Sequence, residues 1–149
     1  MAPALTSLLG LLAALVVLIP WAGPAGAALL HLEGPVPADL GMRQGHLAPC
    51  PSPAHCAREV WPLSDPPAAL AALLPAVLSL DGVDVVETGD DYIHATATSR
   101  LFGFVDDLEV HADADGGVIE VRSVSRLGDS DLGVNARRLA ALRRSLPGG

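Results

Sequence analysis

Tyr92 to Arg138, YIHATATSRLFGFVDDLEVHADADGGVIEVRSVSRLGDSDLGVNARR, is the stretch whose reading decides the fold. From Val83 onwards the polarity repeats at every second residue, the period of a strand with one face buried. Val83 to Glu87, Tyr92 to Thr98, Phe104 to Ala112 and Val118 to Ser125 read as strands, with turn signals at Gly89-Asp90-Asp91 and Asp115-Gly116-Gly117. Links this short join antiparallel neighbours, because a parallel crossover needs a dozen residues or more. In the second strand Ile93, Ala95 and Ala97 are expected in the core, and Tyr92, His94, Thr96 and Thr98 outwards or towards a groove. Two registers are open for the last hairpin. With Asp115 and Gly116 as its loop, Glu109 faces Arg122 and His111 faces Glu120; a slip of one residue sets Asp107 against Arg126 instead. Either register opposes acid and base, worth a few tenths to about 1 kcal/mol per pair. The expected role of these charges is a solvated salt-bridge ladder.

Two helices bracket the strands. Asp65-Pro66-Pro67 opens the first, with Asp65 as N-cap and proline in the first turn, and Ala68 to Leu80 places Leu70, Leu73, Leu74, Val77 and Leu78 at helical spacing. Pro75 lies inside this pattern and predicts a kink or an early end. The second helix spans Asn135 to Leu146, capped by Asn135 or Asp131, with a buried stripe of Leu139, Leu142 and Leu146. Arg137, Arg138, Arg143 and Arg144 lie on its other faces, where a solvated helix offsetting an acidic sheet is the common arrangement. The fold class is α+β: a four-stranded antiparallel meander over residues 61–146, packed by an N-terminal and a C-terminal helix.

Ahead of that domain the chain changes character. Met1 to Leu32 has no charged side chain, and Leu8 to Ile19 is an unbroken run of apolar or small residues. Residues 1–30 read as a signal peptide or a membrane anchor. Ala25 and Ala27 form an A-x-A-like cleavage site, which favours a signal; the absence of Lys or Arg before the run, and a length near that of a bilayer span, favour an anchor. Both alternatives put the rest of the chain outside the cytoplasm, in the periplasm or held at the inner membrane. The 149 residues hold 9 Lys+Arg against 17 Asp+Glu, net −8, and an acidic chain gives no electrostatic support to a nucleic-acid role.

Residues 31–60 are rich in proline, at 35, 37, 49, 51 and 53, and read as an extended lead-in. They contain the only cysteines, Cys50 and Cys56. In an exported protein the pair reads first as a disulfide closing a short loop, with free thiols or a metal site completed by His46 and His55 as alternatives.

Several phrases in order resemble a known family: Pro37-Ala38-Asp39-Leu40-Gly41, Gly45 to Pro53 with Cys56, Tyr92-Ile93-His94-Ala95, Ser99-Arg100, Phe104 to Glu109, Arg122 to Arg126 and Gly128 to Arg138. Over about Pro37 to Leu146 the chain resembles domain of unknown function 1499. The resemblance implies an exported or membrane-tethered domain, of bacteria and plastids, with no established activity. Where that family usually reads Ser-Pro-Asn-Cys, this chain has Pro53-Ala54-His55-Cys56, which keeps the cysteine and lacks the Asn.

Three function classes follow. A non-catalytic envelope domain would bind a small anionic ligand or an envelope protein through Arg100, Arg122 and Arg126, with Ser99, Ser123, Ser125, Asp106, Asp107, Asp131 and Asn135 completing a polar corner. Guanidinium forks and hydroxyls suit carboxylate or phosphate groups. An envelope hydrolase would use Asp106, Asp107, His94 or His111 as acid–base groups, although Asp106 and Asp107 are adjacent on a strand and point to opposite faces. In a structural module the same Arg, Asp and Asn side chains satisfy one another without a ligand. No cofactor motif and no nucleophile with a recognisable base is present, so the non-catalytic classes lead.

Overall fold

In the computed structural model, which describes residues 30–146, the chain begins as a strap, residues 30–55, lying across a sheet formed later in the chain. Apart from Leu30, the signal or anchor segment lies outside the described residues. The strap folds into a small hairpin, β1 (Met42–Arg43) and β2 (His46–Leu47). Between them Gln44 and Gly45 both have positive φ, 55° and 83°, the two-residue reversal whose twist matches antiparallel strands. Then follow β3 (Cys56–Pro62), α1 (Pro66–Leu78), β4 (Val83–Thr88), β5 (Tyr92–Thr98), β6 (Val105–Asp113), β7 (Val118–Ser125) and α2 (Val134–Arg144).

The main sheet is antiparallel throughout, in the order β3-β7-β6-β5-β4. It therefore has five strands, one more than the predicted meander. The addition is β3, which pairs with the free edge of β7 from within the proline-rich lead-in. Its pattern conceals it: Arg58 and Glu59 are neighbours on opposite faces, so no apolar alternation marks a strand. Each charge has a partner, Arg58 on the adjacent strand in Glu120 and Glu59 within its own strand in the Trp61 indole N–H. The last hairpin takes the first of the two registers, with Glu109 opposite Arg122 and His111 opposite Glu120.

Alternation divides the sheet into two unlike faces. One carries Trp61, Ile93, Ala95, Leu108, Val110, Ile119 and Val121, which pack against Leu70, Leu73 and Val77 of α1 and Leu139 and Leu142 of α2. Removal of such side chains from water is the main stabilising term, about 1.5–3 kcal/mol for each large aliphatic. The Asp65 carboxylate caps α1 by accepting from Ala68 N at 3.0 Å. Pro75 does not end the helix, which runs three residues further to Leu78. Ala71, whose carbonyl loses its partner to Pro75, is exposed, so water can satisfy that oxygen. Among the described residues no helix is long and apolar enough to cross a membrane.

Cys50 and Cys56 form a disulfide, which fastens the end of the strap to the first residue of β3. A metal set of these two sulfurs with His46 and His55 is thereby excluded, since a ligating cysteine must be a free thiolate. Closing so short a loop restricts the unfolded chain by about 2 kcal/mol. The Cys50→Ser/Cys56→Ser protein should therefore fold but melt on the order of 10 °C lower, and reductant should lower the wild-type Tm by the same amount.

Candidate functional site

The face of the sheet away from the helices is charged, and the strap covers it. Its centre is Arg122 on β7, fully buried, whose NH1 donates to Glu109 Oε2 on β6 at 2.9 Å. NH2 donates to the Asp39 carboxylate of the strap at 2.6 Å. The other Glu109 oxygen accepts from the Tyr92 hydroxyl and from Gly41 N, each at 2.7 Å. Burial pushes the Tyr92 phenol well above its ordinary value, and the bond to Glu109 adds to the shift, so Tyr92 is a neutral donor.

Two further acids flank this centre. Glu120 accepts from Arg58 at 3.0 Å and from Leu47 N at 2.7 Å, and His46 Nδ1 lies 3.1 Å from it. His111 is buried beside it, with Nδ1 3.8 Å from Glu120 Oε2. Asp107 is held by the Arg126 fork, Nε at 2.8 Å and NH2 at 2.9 Å, with His94 Nε2 at 2.8 Å. Burial works against the charged form of Asp107, but the Arg126 and His94 contacts outweigh it and hold the carboxyl below the usual range. Arg126 is in turn held more firmly protonated, chiefly by its bonds to Asp107, and its NH1 reaches Glu33 of the strap at 3.3 Å.

A second polar cluster lies on the helix face, at the end of β7. Asn135, buried in the first turn of α2, accepts from Ser123 Oγ at 2.6 Å and donates to Ser125 Oγ at 2.9 Å and His55 O at 3.1 Å. Arg138, one turn later, donates to Ser123 Oγ and Asn135 Oδ1, both at 2.7 Å, and to Asp106 Oδ2 at 2.8 Å. Gly133 is the N-cap residue of α2, in place of the predicted Asn135 or Asp131, and has no side chain to bond; Asp131, two positions earlier, supplies the oxygens instead, accepting from Gly133 N at 2.7 Å and Asn135 N at 3.0 Å. Burial opposes its ionised form, and these N–H groups more than compensate, so its carboxyl is also depressed.

The predicted polar corner is thus two clusters separated by the sheet. Arg122, Arg126 and Asp107 face the strap, whereas Ser123, Ser125, Asp106, Asp131 and Asn135 lie on the helix side. Adjacent strand residues point oppositely, so Arg122 and Ser123 cannot share a surface. Arg100 joins neither cluster. It projects from the β5–β6 turn, about three-quarters exposed, with Asp81 at 3.7 Å. The acid–base pair Asp106 and Asp107 is divided in the same way, as alternation requires. The expected solvated ladder is corrected as well: Asp107, Glu109 and Arg122 are 0% exposed, because the strap shields them. Strap residues Glu33, Asp39 and Gly41 had no local signal. Arg138 had one, since it lies three positions after Asn135 and so on the same helix face.

This architecture is an α+β domain whose antiparallel sheet has an apolar face under two helices and an ion-paired face under its own N-terminal strap. The chain belongs to the family described as "Protein of unknown function (DUF1499)", which matches residues 46–146. The match begins in the strap hairpin and leaves Glu33, Asp39 and Gly41 ahead of it. No curated protein matches the chain.

Removal of Arg122 would strand Glu109 in the interior. Arg122→Ala should cost about 3–5 kcal/mol, whereas Asp39→Ala, which removes a half-exposed partner, should cost about 1 kcal/mol; urea melts read the difference. Asp131 gives a pH effect of known sign. Its folded pKa is depressed, so its contribution is complete above the unfolded value, about pH 4, and is lost as pH falls through the folded value. Asp131→Asn keeps a capping oxygen and should flatten the fall in unfolding free energy below about pH 4.

Proposed function

We propose that the protein is a non-catalytic domain of the cell envelope, exported and held at the membrane by its N-terminal segment, in which the buried ionic layer has a structural role. The observation that carries this reading is the mutual satisfaction of the charges. Each of the sheet-face arginines, Arg58, Arg122 and Arg126, already pairs with a carboxylate of the sheet itself. An anion would have to displace one of these partners, whereas a structural layer needs them where they are. His94 bonds to Asp107, and that carboxylate is also bound by Arg126, an arrangement suited to fixing the strand pair rather than to moving a proton. The location within the envelope rests on the uncharged run from Met1 to Leu32 and on Glu33 and Asp39, rather than a basic residue, being the first charges that follow it.

A second reading, an anion site on the same face, is favoured by one observation. Arg122 Nε is buried without a protein partner, and the carboxylate on its NH2, Asp39, belongs to the strap and has a side chain 38% exposed. An anionic small molecule or an acidic protein segment has the right charge to take the place of Asp39.

Two measurements on the full chain decide between these. A C-terminal fluorescent reporter that matures only in the cytoplasm should stay dark, and a bright fusion would overturn the location. Titration with inorganic phosphate or acetate should leave the Tm of wild type and Asp39→Ala unchanged. A saturable rise, following the stabilisation expected of a ligand that binds only the native state, would replace the structural reading with the anion site.

A further inference from the structure

The two ends of the sheet differ in polarity. At one end the β4–β5 and β6–β7 reversals carry Asp90, Asp91 and Asp115, all exposed. At the other end, where β5 passes into β6 and β7 stops, large apolar side chains are exposed among the acids Glu33, Asp81 and Asp129: Leu30 (52%), Leu32 (40%), Leu101 (52%), Phe102 (45%), Phe104 (37%) and Leu127 (39%). These form one patch rather than scattered residues. Leu32 N donates to Gly103 O at 3.2 Å, Gly34 packs against Leu127, and the Phe102 and Phe104 rings lie 5.6 Å apart. The turn is also closed on itself. Ser99 N donates to Phe104 O at 2.8 Å, Gly103 N to Ser99 O at 3.0 Å, and Phe104 N to Ser99 Oγ at 3.0 Å. A turn so bonded holds Leu101 and Phe102 outwards, although exposing them to water is unfavourable. A contiguous exposed apolar patch of this kind marks a surface that is covered in use.

We infer that this end of the domain rests on a lipid bilayer, with Leu101 and Phe102 inserted among the headgroups and upper acyl chains. The inference rests on the reading of the N-terminal segment as a membrane tether. What selects lipid as the occupant is the path of the chain: Leu30 and Leu32, the last residues of the uncharged stretch, are themselves part of the patch. Only residues 20–29 separate the apolar run Leu8 to Ile19 from Leu30, a reach of at most about 35 Å when extended. Because the tether enters at the patch, it brings this end nearest the membrane surface, with the acidic turns about 30 Å further off along the nine-residue β6. Arg100 suits the same surface. It stands beside Leu101, exposed and only loosely paired with Asp81 at 3.7 Å, where a guanidinium can meet lipid phosphate.

The test uses the oxidised full chain in vesicles of phosphatidylethanolamine and phosphatidylglycerol that carry a nitroxide on the acyl chain. An environment-sensitive fluorophore is attached through Phe102→Cys, through Leu101→Cys as a second site in the patch, and through Asp115→Cys at the opposite end. Flotation reports on the tether independently. Flotation with blue-shifted emission at 101 and 102, quenched several-fold more than at 115, is the expected result. Flotation with no more quenching at 101 and 102 than at 115 would overturn the inference and leave the tether intact. Blue-shifted but unquenched emission would assign the patch to residues 20–29 or to a second copy. Failure to float would overturn the tether and the inference together.

Discussion

The ion pair between Glu109 and Arg122 constrains everything around it, because both charges are withdrawn from water and neither can stay so without partners. Desolvation costs several kcal/mol per ion even after relaxation, so the carboxylate oxygens and guanidinium N–H groups must be met from within the protein. The sheet supplies only part of what is needed, through the Tyr92 hydroxyl. The strap adds Gly41 N on Glu109 and Asp39 on Arg122, which leaves only Arg122 Nε of this pair without a protein partner. Gly41 has φ 84°, a conformation that favours glycine, and in it the N–H reaches the buried carboxylate. The path of an otherwise irregular, proline-rich segment is thus set by the polar demands of a strand pair some seventy residues away.

The same logic repeats on a smaller scale across the sheet. Asn135 sits at the junction of β3, β7 and α2, where the Ser123 and Ser125 hydroxyls need partners that no strand provides and His55 O, already bonded to Ser125 N, accepts a second donor. A single carboxamide serves all three, and Arg138 joins the cluster to Asp106. The acidic chain therefore does not present a uniformly acidic sheet. Carboxylates and guanidinium groups are matched in the interior, and the uncompensated acids lie at the turns and on the edge strand β4, at Asp84 and Glu87, where water screens them.

Much of this organisation is legible locally. The period-two pattern marks four strands, the turn signal at Asp115-Gly116-Gly117 narrows the last hairpin to two registers, of which the structure takes the one opposing Glu109 and Arg122, and Asp65 marks the start of α1. The leucine stripe of α2 and the pairing of Cys50 with Cys56 are equally local. The strand β3 is not, because Arg58 and Glu59 on opposite faces break its apolar alternation, and the partner of Arg58, Glu120, is met only after folding. Arg100 misleads for the opposite reason: its type resembles Arg122 and Arg126, but its place in a turn beyond the sheet leaves it nothing buried to neutralise.

The sequence by itself determined four of the five main-sheet strands and both helices, which strand faces are apolar, and that acid would oppose base across β6 and β7 in either of two registers, since these follow from periods of two and 3.6 and from turn chemistry. Only the tertiary structure decided whether those charges lie in water or in the interior. A ladder of Glu109, Arg122, Glu120 and Asp107 reads identically in either case, and its burial depends on Glu33, Asp39 and the 41–47 hairpin lying across it. That coverage is a contact between segments distant in the chain, held by a disulfide and by hydrogen bonds from strap backbone to sheet carboxylates. No local periodicity encodes it.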